Sequence, residues 1–306
     1  PCYGSEHTIE LVVNELRETM TQRPEYSYEI VLVNDNSPDQ VWNVIQRLVR
    51  KYNNMKGISL ARNFGQHAAL MAGYRSCEGE IVVSLDDDGQ TPADETFLLI
   101  DKINEGYDVV YGCYPEIKQS HFRIFGSWVN EKMVEILLNK PKELKCTSYY
   151  AAKRFIIEEM LRYKNSYPYV GGLVLRSTKN IANVPVHHRA RLEGKSGYSL
   201  GKLLALWFNG FTAFSVKPLR LATVVGFVCA LAGFVYGVIM VLRKLLGYTT
   251  VLGYSSLITV ILFIGGIIMV LLGIIGEYIG RIYISLNNAP QYVIRETIGG
   301  SDEKTE

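Results

Sequence analysis

Apolar residues follow two patterns along this chain. Up to about residue 200, short β-branched runs alternate with stretches whose apolar positions recur every three or four residues. Residues 28–34 (YEIVLVN) form a run of the first kind, closed by the turn residues Asp35, Asn36, Ser37 and Pro38. Helical periodicity follows over 41–52. The exchange then repeats, with strands expected at 57–60, 80–85 and 108–112 and helices at 66–77 and 92–104. Strands separated by helices of this length predict an α/β fold around a mostly parallel sheet. Such sheets bind ligands beyond the carboxyl ends of their strands. Two acidic strand ends, Asp35 and the run Asp86, Asp87, Asp88, therefore fall where a ligand sits. A further helix is expected over 123–138 and a further strand within 178–188. The chain opens at Pro1 with no apolar run ahead of it, and the expectation is that a first strand of the sheet is missing.

From about Leu221 the pattern changes. Residues 221–242 and 257–276 are apolar runs without charge, each long enough to cross a bilayer, joined by a short loop. Ahead of them, 199–215 is apolar and aromatic-rich but carries Lys202 and Trp207, the composition of a helix lying at a membrane surface. The organisation expected is a globular domain over 1–198, an interfacial segment over 199–219, a two-helix hairpin over 220–283 and a tail over 284–306. Lys202, Lys217, Arg220, Arg281 and Arg295 flank the hairpin on the globular side, against Arg243 and Lys244 at the loop. Positive residues favour the cytoplasmic face, so the globular domain and tail are expected in the cytoplasm. G-x-x-x-G spacings at Gly233/Gly237 and Gly276/Gly280 suit close helix packing.

The formal net charge of +2, with no long basic block in the globular part, argues against a nucleic-acid partner. The five cysteines are widely spaced and contain no C-x-x-C pair, so neither a disulfide framework nor a zinc site is indicated. Chemistry concentrates in LDDDGQTP, residues 85–92, where a strand delivers three carboxylates into a turn and Pro92 starts a helix. Carboxylates packed this closely repel one another unless a cation is supplied. Mg²⁺ or Mn²⁺ binds one or two carboxylates and completes its shell with water and phosphate oxygens, which makes Asp86 and Asp88 the metal candidates and the cluster a diphosphate holder. The competing reading is a solvated acidic turn. Asp35, in V-N-D-N-S, suits hydrogen bonds to a nucleobase or ribose, or a simple turn at a strand end. Arg62, Asn63 and Gly65 precede a helix whose N-terminus favours an anion, while His67 alone reads more readily as a structural helix residue.

These features join into an ordered set: P-C-Y-G-S-E at the start, V-N-D ending at Asp35, R-N-F-G-Q-H-A-A-L-M-A-G-Y from Arg62, L-D-D-D ending at Asp88, V-H-H-R-A-R-L-E-G-K-S-G-Y-S from Val186, and G-E-Y-I-G-R-I-Y from Gly276. The set resembles the bacterial polyprenyl-phosphate glycosyltransferases, relatives of dolichyl-phosphate mannose synthase, over nearly the whole chain. The resemblance implies a GT-A fold, a nucleotide-diphosphate sugar as donor (a UDP-sugar first, GDP left open), undecaprenyl phosphate as acceptor, and inversion at the anomeric carbon. It also implies that Asp35 contacts the nucleotide, that Asp86 and Asp88 form the D-x-D pair, and that Arg191 lies near the phosphate-binding region; Asp35, Arg62, Asp86 and Asp87 are the donor-binding candidates, and Asp86, Asp88 and Arg191 the catalytic ones. Lys195 and His188 join Arg191 as acceptor-phosphate candidates because they lie shortly before the membrane segment. The setting implied is the bacterial inner membrane, with room for a homo-oligomer.

Two positions depart from the family pattern. Gly4 stands where Asn is usual, and the segment from Glu143 to Tyr150 offers no clear acidic catalytic base. A phosphate monoester is largely ionised at neutral pH and needs orientation more than deprotonation. A non-enzymatic, membrane-anchored sensor or scaffold of the same fold is the alternative reading. The charge bias generates a topological expectation: a cysteine introduced near Gly253 should be labelled by impermeant reagents from the non-cytoplasmic side. Labelling from the cytoplasmic side would overturn it.

Overall fold

The computed structural model describes residues 1–114, 135, 140–187, 189, 217–246, 253–286 and 290–300. It divides into two compact units, 1–200 with 288–306, and 201–287. In the first unit the elements run α1 (Ile9–Thr21), β1 (Ile30–Asn34), α2 (Val41–Lys51), β2 (Met55–Leu60), α3 (Gln66–Ser76) and β3 (Ile81–Ser84). A single 3₁₀ turn (Ala93–Glu95) then leads into α4 (Thr96–Asn104) and β4 (Val109–Cys113). After these come β5 (Tyr150–Lys153), α5 (Arg154–Leu161), α6 (Val170–Ser177) and β6 (Ile181–Pro185). The second unit holds α7 (Lys217–Leu245) and α8 (Tyr254–Leu286), and the chain then returns to the first unit as β7 (Ile294–Ile298).

The βα alternation expected from the sequence is present from β1 to β4. Strands β1 and β2 run parallel, as do β4 and β6. The order β3-β5-β4-β6 places β5 antiparallel between β3 and β4, and β7 lies antiparallel on β2, so the fold is α/β with mixed sheets. Neither β5 nor β7 is foreseen by periodicity. The sequence YAAK at β5 has little intrinsic strand preference; it is extended because it finds hydrogen-bonding partners on both sides. Helices α1, α5 and α6 are likewise additions to the sequence reading. Of the helix expected over 123–138 residue 135 alone is described, and it is helical; the interfacial segment over 199–215 lies outside the described residues.

Burial follows the amphipathic spacing. In α2, Val41, Ile45, Leu48 and Val49 occupy one face and pack with Ile9, Val13, Ile30 and Met55. Ile45 is fully buried, and removing such a side chain from water contributes about 2 to 3 kcal/mol. A second cluster joins Leu99 and Ile103 of α4 to Val110, Tyr149, Ala151 and Val186, beneath the β3 to β6 sheet.

Along α8, Phe263–Gly280 is long and apolar enough to cross a membrane and none of it is buried within the protein. In α7 the apolar stretch found among the described residues is shorter, Gly226–Tyr236, and its Phe227 and Phe234 are exposed. The two helices touch where Gly226 faces Leu271. Gly233, Gly276 and Gly280, expected at a close helix contact, face open space instead.

One glycine sets the tightness of the first unit's core. A Cβ at Gly112 of β4 would lie 2.7 Å from Tyr149 Cδ1 and 3.1 Å from Val186 Cγ2. Tyr149 is fully buried and cannot swing aside. Gly112→Ala should therefore destabilise the globular unit by about 1 to 3 kcal/mol. Denaturant melting checks this, and an unchanged midpoint would show that the Tyr149 wall yields.

Candidate active site

The carboxyl ends of β1 and β3 carry the two acidic stations expected there, and the segment between β2 and α3 ties them together. Asp35 follows β1 and is buried. Its Oδ1 accepts the Phe64 amide at 2.7 Å and its Oδ2 accepts the Gly65 amide at 2.8 Å. Burial raises the Asp35 pKa, while these two amides pull it back. Gly65 takes φ +90°, a left-handed conformation open to glycine, and this turns its amide onto the carboxylate. The next residue, Gln66, donates from Nε2 to Asp86 Oδ1 at 3.0 Å. Residues 64–66 thus bridge one acidic station to the other.

The three aspartates after β3 point to three different places. Asp86 is held from its second oxygen by the Ser148 hydroxyl, in the segment leading into β5. Burial raises its pKa, Ser148 opposes that, and the charges of Asp88 and Asp87 push it further up. Asp87 turns towards the N-terminal segment, where its Oδ2 accepts the Tyr3 amide at 2.9 Å and its carbonyl accepts the Thr8 hydroxyl at 2.6 Å. Asp88 accepts the amide of Gln90 within its own turn at 3.0 Å. β3 ends at Ser84, so the parting of Asp86 and Asp87 is made in the turn beyond the strand and not by strand alternation.

The opening residues lie beside Asp35. Cys2 bridges Asn34 in parallel fashion: its amide donates to the Val33 carbonyl at 2.7 Å, and its carbonyl accepts the Asp35 amide at 3.1 Å. Burial lifts the Cys2 thiol to about 12, so it stays protonated. Gly4 has φ +72° and its amide donates to Ser37 Oγ. Asn is the side-chain residue that best tolerates this region, which explains how Gly replaces Asn here without altering the backbone.

Of the remaining candidates, Arg62 is exposed and stacks over the Phe64 ring, with 4.6 Å from its guanidinium carbon to the ring centroid. His188, Arg191 and Lys195 lie outside the described residues. Arg189, two residues before Arg191 in sequence, reaches the acidic turn. Its amide donates to the Gln90 carbonyl at 3.4 Å, and its guanidinium grips Glu15 at 2.6 Å and Asp94 at 2.7 Å. His187 adds a main-chain bond to Glu95. In the segment from Glu143 to Tyr150, the side chain that meets the site is Ser148, while Glu143 is exposed. Gln66 and Ser148 escape sequence reasoning because short polar side chains carry no periodic signal.

The donor set is compatible with a hard divalent ion. Among the described residues no three His, Cys, Asp or Glu side chains converge as a complete cage. The negative charge gathered around Asp86, whose pKa is raised by burial and by the charges of Asp88 and Asp87, is of the hard-oxygen kind that Mg²⁺ or Mn²⁺ takes.

Comparison with known proteins agrees with this geometry. Residues 1–164 match the model of glycosyl transferase family 2, and residues 217–282 match that of the GtrB C-terminal hairpin. The chain is 33% identical to the uncharacterized glycosyltransferase YkcC of Bacillus subtilis over 98% of this chain and 93% of that protein. It is 31% identical to the undecaprenyl-phosphate 4-deoxy-4-formamido-L-arabinose transferase of Proteus mirabilis, over 98% of this chain and 92% of that one. Among solved structures, glucosyl-3-phosphoglycerate synthase of Mycobacterium tuberculosis, in complex with Mn²⁺, UDP-glucose and phosphoglyceric acid, shares the fold. Its TM-score is 0.50 at 19% identity, covering 70% of this chain and 76% of that one.

His67, one residue beyond Gln66, supplies a pH test of the α3 N-terminus. Its Nδ1 is buried with no hydrogen-bond partner among the described residues, its ring meets Tyr169 edge-on, and burial lowers its pKa from 6.5 to about 4. The unfolded chain binds the proton more readily, so the stability held above pH 6.5 is lost as the pH falls towards 4. The loss should reach on the order of 3 kcal/mol. Melting from pH 7.5 to 4.5 should show a shallower decline for His67→Phe than for the wild type, and identical slopes would remove His67 from the account.

Proposed function

Because the chain belongs to glycosyl transferase family 2 and is a glycosyltransferase, we propose that it moves one sugar from a nucleotide-diphosphate donor onto undecaprenyl phosphate, with inversion. The observation that carries this reading is the bridge by which Phe64, Gly65 and Gln66 hold Asp35 and Asp86 together at the carboxyl ends of β1 and β3. That is where an open α/β sheet receives a nucleotide. The acceptor is drawn from the Proteus mirabilis relative, whose name states undecaprenyl phosphate and which aligns with nearly the whole chain.

Asp35 and Arg62 are assigned to the nucleotide, and Asp87 to the donor side through its hold on the opening segment. Asp86 and Asp88 would hold Mg²⁺ or Mn²⁺ together with the donor diphosphate. When bound, the ion supplies positive charge against the leaving diphosphate. A structure of the same fold holds Mn²⁺ and UDP-glucose, which favours a UDP-sugar as donor. Gln66 and Ser148 keep the Asp86 carboxylate in one orientation, so little reorganisation accompanies binding. His188, Arg191 and Lys195 are assigned to the acceptor phosphate. The attachment of Arg189 to the acidic turn supports this, because it brings the start of their segment to the donor side. A planar guanidinium suits two phosphate oxygens at once. The lipid phosphate then attacks the anomeric carbon from the face opposite the diphosphate, in a single displacement. The hairpin motif supports a membrane-anchored, two-pass protein with its globular unit in the cytoplasm at the inner membrane.

The test is sugar transfer from a panel of nucleotide sugars to undecaprenyl phosphate in detergent or vesicles. One donor should be used with a divalent metal required. Asp88→Asn should abolish transfer and weaken metal-dependent donor binding, since an amide cannot offset the ion's charge. Arg191→Ala should lower transfer efficiency roughly tenfold to a hundredfold through the lipid, with donor affinity kept. Near-normal turnover by Asp88→Asn with metal still required would refute the metal role, and lost donor affinity in Arg191→Ala would move that residue to the donor site.

A further inference from the structure

Residues 290–300 lie outside both family matches, which end at 164 and 282, and no function attaches to them. They follow the second hairpin helix, yet they fold onto the globular unit as a strap. β7 pairs with β2 from Gly57 opposite Ile298 to Leu60 opposite Ile294. The pairing is closely fitted. A Cβ at Gly57 would lie 2.8 Å from Ile298 Cγ1 and 2.8 Å from Ile45 Cγ2. At Gly299, with φ +71°, a Cβ would lie 2.4 Å from the Met55 carbonyl oxygen. Gln291 fastens the start of the strap by donating to the Tyr163 and Asn165 carbonyls at 2.6 and 3.0 Å.

The strap's contacts continue past the sheet to the stem of the donor loop. Ala61 donates its amide to the Val293 carbonyl at 2.8 Å, and its own carbonyl accepts Arg295 Nη2 at 2.8 Å. Both main-chain polar groups of Ala61 therefore end on the strap. Tyr292 packs against the cluster of Val33, Ile58, Leu60, Ala69 and Ala72, together with Phe64. Ala61 is the residue before Arg62, and Phe64, Gly65 and Gln66 are the residues that hold Asp35 and Asp86.

We propose that the strap is a positioning element for the donor site, with Tyr292 and Arg295 fixing the 61–65 loop so that its amides stay on Asp35 and Gln66 stays on Asp86. Without the strap, β2 would be an edge and the Ala61 groups would turn to water, so the loop would be anchored at α3 alone. Short loops anchored at one end open locally at low free-energy cost. The inference rests on the donor-site reading of Asp35 and Asp86.

The test uses the full chain with Tyr292→Ala, Arg295→Ala and the conservative Tyr292→Phe. The first readout is amide hydrogen exchange, which needs no ligand. Exchange at Phe64 and Gly65 should quicken on the order of tenfold in both alanine variants, with β4 and β6 unchanged and Tyr292→Phe like the wild type. The second is calorimetric affinity for UDP with Mn²⁺, alongside the KM values. Donor KM should rise several-fold, with lipid KM unmoved. Unaltered exchange at 62–66, or a uniform rise across the unit, would overturn the proposal, and so would a loosened loop with unchanged UDP affinity while Asp35→Ala lowers it. If Asp35→Ala also leaves UDP affinity unchanged, the donor-site reading fails, and the exchange result still decides whether the strap fixes the loop. Arg295 is exposed, so its variant decides the matter should Tyr292→Ala fail to fold.

Discussion

The globular unit is organised around a carboxylate that has been taken out of water. Asp35 is buried, and a buried charge is tolerable only when hydrogen bonds replace its hydration. The Phe64 and Gly65 amides provide them, and in doing so they fix the path of the chain from β2 into α3. The preceding residue repeats the device: Asn34 is buried, donates to Ser59 Oγ at 3.0 Å and accepts the Ser37 amide at 2.9 Å. β1, β2, the turn after β1 and the start of α3 are thereby locked by polar groups that each need the others. Loss of one leaves a buried partner unsatisfied, which costs more than the bond itself contributes.

The same economy governs the acidic turn. Three adjacent carboxylates would repel strongly if aimed at one point, and the fold parts them: Asp86 towards α3 and the approach to β5, Asp87 towards the N-terminal segment, Asp88 into its own turn. Asp86 is left fixed by Gln66 and Ser148, with its pKa raised chiefly by burial. Arg189 is tied to that turn through the Gln90 carbonyl and to Glu15 and Asp94 through its guanidinium.

The tyrosines behind the site show how the two sheets' elements are joined. Tyr74, the last residue of the R-N-F-G-Q-H-A-A-L-M-A-G-Y motif, meets the Tyr150 hydroxyl, and the Tyr150 ring tilts against Tyr111 at 5.3 Å between centroids. Burial pushes the Tyr74 hydroxyl up to about 12, so it stays neutral and serves as a link between α3 and β5. The motif thus meets Asp35 and Asp86 at its start and ties α3 to β5 at its end.

The sequence by itself determined whatever follows from local pattern and composition. Alternating β-branched runs and helical periodicity placed β1 to β4 and helices α2 to α4. The ordered motifs identified the family, the apolar runs marked the C-terminal hairpin, and the charge run after β3 marked the candidate site. Only the tertiary structure decided what depends on partners. β5, with a sequence of weak strand preference, is a strand because β3 and β4 flank it, and β7 is one because β2 offers an open edge. Ser148 and Gln66 belong to the site because folding brings their short side chains to Asp86, a relation that no spacing in the sequence records. The strap at 290–300 reads as a tail for the same reason: its pairing partner lies more than two hundred residues away, and hydrogen bonds between distant strands leave no periodic trace in either.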